Sequence, residues 1–416
     1  MLLPTHLKML PWIAALLAGV SVDIATAATT APLPEFFPIM TSVAWDSADD
    51  NPASLGLVPE NDENVHWNFR DRVRFGIGYF HNRYDQNTRL RANSTFLARR
   101  FQVEPERFHI PAKDTRFFPF VLGYDGTDEK WFWSGEVRLF RSVAFNLSES
   151  YYFDNPVAAT MDYIRLRLDH DLHFFRFRGT VGLRLDDDTM VAVAPIIHIG
   201  FYNLLSQKEY YYAGPPGDFE SYRIDLEASL RGPAFGMQVG IRRRFDDVMM
   251  SAEFVYGGQA RLQGDVSLDG ASADRTLVMT LPDSVTIMAE VSTGAFTLQG
   301  YSRISFWTAE MYASVPVELD IPRPNHHWGV TVGVGGYHAL PDGFQAGAGY
   351  LYHLLPEDSR AWKYVELQSR VHQFSGRLAH RTDHFELTAG VSILVDEDGG
   401  DLPAAFSTSM GITYLL

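Results

Sequence analysis

The sequence predicts an all-β protein, a transmembrane antiparallel β-barrel, and three observations carry that prediction. Apolar and polar residues alternate with a period of two in run after run. The N-terminus reads as an export signal, yet no later stretch supplies the ~20 apolar residues of a spanning helix. Short turns alternate with long polar connections, the pattern of an outer-membrane barrel.

The alternation is sharpest in IRLRLDHDLHFFRFRGTVGLRLDDD, residues 164–188. Ile164, Leu166 and Leu168 point one way, and Arg165, Arg167 and Asp169 the other. After an interruption near His173, Phe175, Phe177, Val181, Leu183 and Leu185 alternate with Arg176, Arg178, Thr180, Arg184 and Asp186. Such a strand needs an apolar medium on one face and, on the other, a compartment that accepts guanidinium groups. Lipid outside and a polar lumen inside meet both needs. A secreted β-sandwich is the rival, but it does not require so many long strands or exposed rings.

Composition agrees. The net charge of −16 argues against a nucleic-acid partner. Aromatic residues form 13% of the 416, enough for rings at both membrane interfaces. Cysteine is absent, which removes disulfides, thiolate metal sites and a cysteine nucleophile.

Lys8, the apolar run 9–22 and Ala25-Thr26-Ala27 read as a signal peptide, 1–27, cleaved after Ala27. Next comes a leader, 28–62, and then the barrel, 63–416. In WGVTVGVGGYH, Trp328, Val330, Val332 and Val334 share a face. In FGMQVGIRR, Phe235, Met237, Val239 and Ile241 do so. In YRIDLEASL, Ile224, Leu226, Ala228 and Leu230 oppose Arg223, Asp225, Glu227 and Ser229. Further runs lie at 66–80, 116–124, 131–140, 189–202, 248–257, 280–291, 295–307, 343–353, 364–380, 384–395 and 405–415.

Short turns are expected at 186–188, 246–247, 292–294, 340–343 and 382–383. Long loops are expected at 203–219, 258–278, 308–325, 354–363 and 396–404. Pro195 and Arg231-Gly232-Pro233 interrupt strands, each as a turn or as a kinked edge. Both barrel ends should be periplasmic. The charged residues expected in the lumen are Arg165, Arg167, Arg176, Arg178 and Arg184, with Asp225 and Glu227 among their partners.

Three stretches resemble one family in order along the chain: 237–266, 275–308 and 326–359. Leu281, Pro282, Val285, a turn at Gly294 and Trp307 carry the second; Ala348-Gly349-Tyr350-Leu351-Tyr352 and then Pro356 carry the third. They resemble the FadL family of long-chain fatty-acid and hydrocarbon transporters, over about 220–395. The resemblance implies fourteen strands and a small N-terminal plug with an Asn-Pro-Ala turn. Asn51, Pro52 and Ala53 match that turn, although an ordinary Asn-Pro turn in a polar leader gives the same letters. The family's glycine- and alanine-rich lead-in is missing, and the chain ends in leucine rather than phenylalanine.

No G-x-S-x-G, H-E-x-x-H or P-loop motif is present. His170 and His173 fall on opposite faces of a strand, so they cannot share a metal. Asn325-His326-His327 reads as an interfacial polar belt, and 396–401, DEDGGD, lacks the spacing of a calcium loop. The expectation is therefore a non-enzyme with no cofactor and no metal. It is a passive outer-membrane channel for hydrophobic small molecules, in contact with outer-membrane lipids and lipopolysaccharide. The alternatives are a structural, assembly or adhesion barrel, and a polar-solute porin.

Overall fold

Alternating sequence becomes a closed wall. The structure, a computed structural model, describes residues 71–84, 113–117, 120–128, 130–155, 160–213, 219–246, 248–268, 270–293, 295–306, 328–354, 370–382, 384–396 and 405–416. The expected signal peptide, the leader 28–62 and Asn51, Pro52 and Ala53 lie outside the described residues, as do Trp307 and Asn325-His326-His327.

Among the described residues, seventeen strand segments follow one another. They are β1 (Arg72–Tyr84), β2 (Lys113–Phe117), β3 (Phe120–Thr127), β4 (Trp131–Asn155), β5 (Thr160–Arg184) and β6 (Thr189–Ala213). Then come β7 (Phe219–Phe245), β8 (Val248–Tyr256), β9 (Gln259–Leu268), β10 (Ala271–Thr280), β11 (Asp283–Thr293) and β12 (Phe296–Phe306). The last are β13 (Trp328–Ala339), β14 (Phe344–Leu354), β15 (Arg370–Arg381), β16 (Phe385–Asp396) and β17 (Ala405–Leu415).

Three pairs run end to end as single wall strands. β2 and β3 both pair with β1, β8 and β9 both pair with β7, and β10 and β11 line up against β9 and β8. Seventeen segments less three joins leave fourteen strands, all antiparallel. Closure is at β1, where Arg72 lies opposite Leu415 on one side and Asp125 on the other. A closed wall pairs every backbone group within itself, as a lipid core demands.

One end carries the tight connections: 128–130, 185–188, 246–247, 294–295, 340–343 and 382–384. The last five fall at the expected short turns, although Ser292 and Thr293 belong to β11, and the first was not expected; the described turn residues show the chemistry. Asp246 and Asp342 take positive φ, and the Asp188 N–H donates to Asp186 Oδ1 at 2.9 Å. Hydrogen bonds from the Thr189 side chain and from that N–H hold the Asp186 carboxyl below its usual range. Leu416 N bonds Asp71 O, so both barrel termini sit at this end.

The outward face bears an aliphatic band. It includes Ile77, Val239, Ile241, Ile287, Leu298, Val332, Val334, Leu378, Val391 and Ile412, all exposed. Exposed rings flank it. Trp131, Trp133, Phe245, Phe296, Phe344 and Tyr414 lie toward the turn end, and Phe254, Tyr256, Phe306, Trp328 and Phe374 toward the other. An apolar band between two aromatic girdles is the surface a bilayer imposes.

Two of the expected long loops are strands instead. Residues 203–213 complete β6, and 258–278 fall almost wholly in β9 and β10. Most of 308–325, 354–363 and 396–404 lies outside the described residues. β4, β5 and β6 are each 25 residues long and β7 is 27, whereas a membrane crossing takes about 9–11. Half of each therefore stands beyond the apolar band. On β7 there, Glu227, Ser229 and Arg231 are exposed while Leu230 is buried, so the alternation persists with its two faces exchanged.

Neither proline site ends a strand. Pro195 falls where the β5–β6 register lapses, between Arg178↔Ile196 and Val181↔Val193. Pro233 falls where β7 changes partner, between Arg231↔Gln263 and Met237↔Tyr256. A residue without an N–H is tolerated where the ladder is open on one side.

Candidate functional site in the lumen

Inward residues of the wall form layers. Near the turn end Phe132 and Met190 are fully buried. Above them lies a belt of charge. Arg74 and Arg72 from β1 meet Asp125 on β3 at 2.7 and 2.9 Å. On β4, Glu136 receives Arg176 and Arg178 from β5, each at 2.9 Å, with Arg138 and Arg74 at 3.6 and 3.7 Å. Strand register makes this happen, because Glu136 lies opposite Arg178 and Arg138 opposite Arg176. Four guanidiniums around one buried carboxylate satisfy it from every side, the condition under which burying charge is tolerable.

The belt continues around the barrel. Arg178 donates to Gln238 Oε1 at 3.2 Å on β7. Arg242 approaches Glu290, which also accepts from Gln299 Nε2 at 2.7 Å. Arg303 stands 3.7 Å from Glu253 and donates to Thr286 Oγ1 at 2.8 Å. On β15 and β16, with β17 alone between them and β1, Arg381 pairs with Glu386 at 2.9 Å. Each residue takes an inward position of its strand.

Toward the open end the inner surface turns apolar. Phe174, Tyr202, Leu230, Ala234, Ala260, Leu262 and Leu281 are buried there. Phe174 is the next inward residue above Arg176, so the apolar layer begins one step from the guanidiniums.

The residues singled out from sequence fall into three groups. Arg176 and Arg178 are buried in the belt, and their carboxylate is Glu136 rather than Asp225 or Glu227. Arg184 is at the turn end, half-buried, donating to Asp128 O at 2.6 Å and Thr127 Oγ1 at 2.9 Å. The third group departs from the expected lumen face. Glu227 is exposed, and it and Asp225 share the parity of Phe235 and Met237, the outer side. Their segment of β7 lies beyond the apolar band, where acids face bulk water.

No interruption at His173 reverses β5, because its register with β6 is unbroken from Tyr163 to Arg178. Positions 165 and 167 thus share the parity of Phe177, not of Arg176; the side chains of Arg165 and Arg167 lie outside the described residues. The extra residue of this hairpin is on β4, between Leu139 and Arg141. Sequence reading missed Arg72, Arg74, Asp125, Glu136 and Glu253. Their one signal was a single charge at alternate positions, as in Glu136-Val137-Arg138.

A closed fourteen-stranded wall, apolar outside and charged within, defines an outer-membrane-type β-barrel. Several solved structures share this architecture. Across 93% of this chain and 96% of the other, it is similar to a FadL homologue of Pseudomonas aeruginosa, with TM-score 0.60 and 12% identity. It is also similar to the toluene transporter TbuX of Ralstonia pickettii, over 89% and 93% of the chains, with TM-score 0.53 and 11% identity. The CymD monoaromatic hydrocarbon channel matches over 95% and 99%, with TM-score 0.54 and 9% identity. No family model and no curated protein matches the chain in sequence. At such identities the likeness is one of fold.

Proposed function

We propose that the protein is an outer-membrane channel for passive uptake of hydrophobic molecules. The observation that carries this reading is the layered lumen, an apolar inner layer around Phe174, Tyr202, Leu230 and Leu262 directly above the charged belt. An apolar chain or ring leaving water gains from burial against such a layer, at roughly 25 cal/mol per Å². Similarity of fold to proteins described as toluene transporters and a monoaromatic hydrocarbon channel supports it. A polar-solute porin fits less well, since the lumen's guanidinium and carboxylate groups are buried against one another instead of lining open water. The same buried network would serve a structural barrel, which is the second reading.

In this proposal residues 1–27 direct export and 28–62 plug the lumen from the periplasmic side, with Asn51, Pro52 and Ala53 at a turn. Charge supports the plug. Residues 28–62 hold six acids and no Lys or Arg, and the part of the belt they would face holds five arginines, Arg72, Arg74, Arg138, Arg176 and Arg178, to two acids, Asp125 and Glu136. The apolar band between its aromatic girdles supports contact with outer-membrane lipids and lipopolysaccharide.

Uptake of a labelled long-chain fatty acid and of labelled toluene, in cells with and without the gene, tests the reading. Faster uptake of at least one solute with the protein is expected; equal rates for every hydrophobic solute leave the structural barrel. Deleting residues 30–58 should preserve a folded barrel while changing that uptake and admitting small polar solutes.

A further inference from the structure

Two neighbouring strands of the wall break at one level. β8 gives way to β9 at Gly257-Gly258, and β10 gives way to β11 at Leu281-Pro282. The two breaks hold each other, with Leu281 N bonding Gly258 O at 2.9 Å and the Gly257 N–H donating to Asp283 Oδ1 at 2.8 Å. Gly258 has φ 77°, a left-handed conformation, and a Cβ there would stand 1.9 Å from Phe235 O. Pro282 has no N–H to add to a ladder.

Above the breaks, β9 and β10 pair as a hairpin from Gln259↔Thr280 to Leu268↔Ala271. Among the described residues the hairpin is fastened to the rest of the wall along β7 by six residue pairs, Leu226↔Leu268 to Arg231↔Gln263. These lie beyond the apolar band, since the outward residues below are Met237, Phe254 and Tyr256 and those above are Gln259, Arg261 and Gln263, all exposed. In water such ladder bonds exchange for solvent at small net cost.

On its inner side the hairpin covers the apolar layer. Leu262 and Ala260 are fully buried. Leu262 reaches across β7 to β6, where its Cδ2 stands 2.8 Å from the place a Cβ on Gly200 would take, beside the Phe174 ring at 2.6 Å.

We propose that the β9–β10 hairpin is a lid. It turns on Gly257-Gly258 and Leu281-Pro282, separates from β7, and lifts Leu262 from Phe174, opening the apolar layer to solutes from outside. What passes beneath it rests on the uptake reading above; the motion itself does not.

Two measurements on the full-length protein test the lid separately from that reading. The chain has no cysteine, so every thiol is an introduced one. Spin labels at Ser272→Cys on the hairpin and Arg370→Cys on β15 report the distance across the mouth in bilayers, with and without oleate. Two distance populations, or a shift with oleate, are expected; one unshifted population overturns the lid. In cells, Glu227→Cys with Ser267→Cys, an opposed pair, staples hairpin to β7. Oxidation should reduce oleate uptake to the level of cells lacking the protein, and dithiothreitol should restore it. Undiminished uptake with the disulfide formed overturns the lid and leaves the channel. If the unmodified protein takes up nothing, the channel reading falls and the spin-label distances alone decide the lid.

Discussion

Arg178 Nη2 and Glu136 Oε2 meet at 2.9 Å with neither side chain exposed, and three more guanidiniums share that carboxylate. Removing the acid leaves buried positive charge uncompensated. Glu136→Ala should therefore destabilise the barrel by about 3–5 kcal/mol, read from urea unfolding in lipid vesicles. Glu136→Gln, which keeps the shape and some hydrogen bonds, should fall between it and the wild type. Wild-type stability in Glu136→Ala would refute the belt as a support of the wall.

The outward face should respond to charge by height. Val391, near the middle of β16, is exposed in the aliphatic band, and Val391→Arg should cost about 2–4 kcal/mol there. Gln263 faces outward beyond the band, and Gln263→Arg should change stability by less than about 0.5 kcal/mol. Equal losses in the same unfolding assay would mean that both positions lie in lipid.

Gly182 and Phe132 form a fitted pair across β5 and β4, since a Cβ on Gly182 would lie 2.0 Å from the ring. Gly182→Ala should cost about 1–3 kcal/mol through overpacking. Adding Phe132→Leu to Gly182→Ala should recover part of that loss, measured as a double-mutant cycle. Purely additive losses would show that the ring is free to move aside.

The two ends of the barrel should be chemically distinguishable in living cells. Single cysteines replace Asp187 at a tight turn or Glu227 on the tall wall, both exposed. A membrane-impermeant maleimide added to intact cells should label the Glu227 variant and spare the Asp187 variant until the outer membrane is opened. The reverse result would invert the orientation.

How much of this was legible beforehand depended on height. At the turn end, local chemistry is decisive. Asp186, Asp246 and Asp342 stop strands within a residue or two, so β6, β8 and β14 start at or next to where the alternation starts. At the other end the run read as 131–140 continues to Asn155, and the one read as 189–202 continues to Ala213. Beyond the apolar band both faces still alternate, with their meanings exchanged, and a reading that assigns apolar residues to lipid then inverts the strand. Asp225 and Glu227 were misassigned for this reason, and the unbroken β5–β6 register gives positions 165 and 167 the parity of Phe177.

By itself, the sequence determined the class of fold. A period of two, the lack of a spanning apolar run and acidic tight turns are local properties, and together they admit little besides a barrel with lipid outside. Only the tertiary structure decided which charges meet. Glu136, Arg74 and Arg178 lie on three different strands, up to 104 positions apart, and the register that aligns them comes from closing fourteen strands at Arg72. The lid was equally hidden. Gly257-Gly258 read as the edge of a long loop and Leu281-Pro282 as the start of a strand until strand pairing sets them at one level, because coincidence in height is a property of the closed wall and not of either segment.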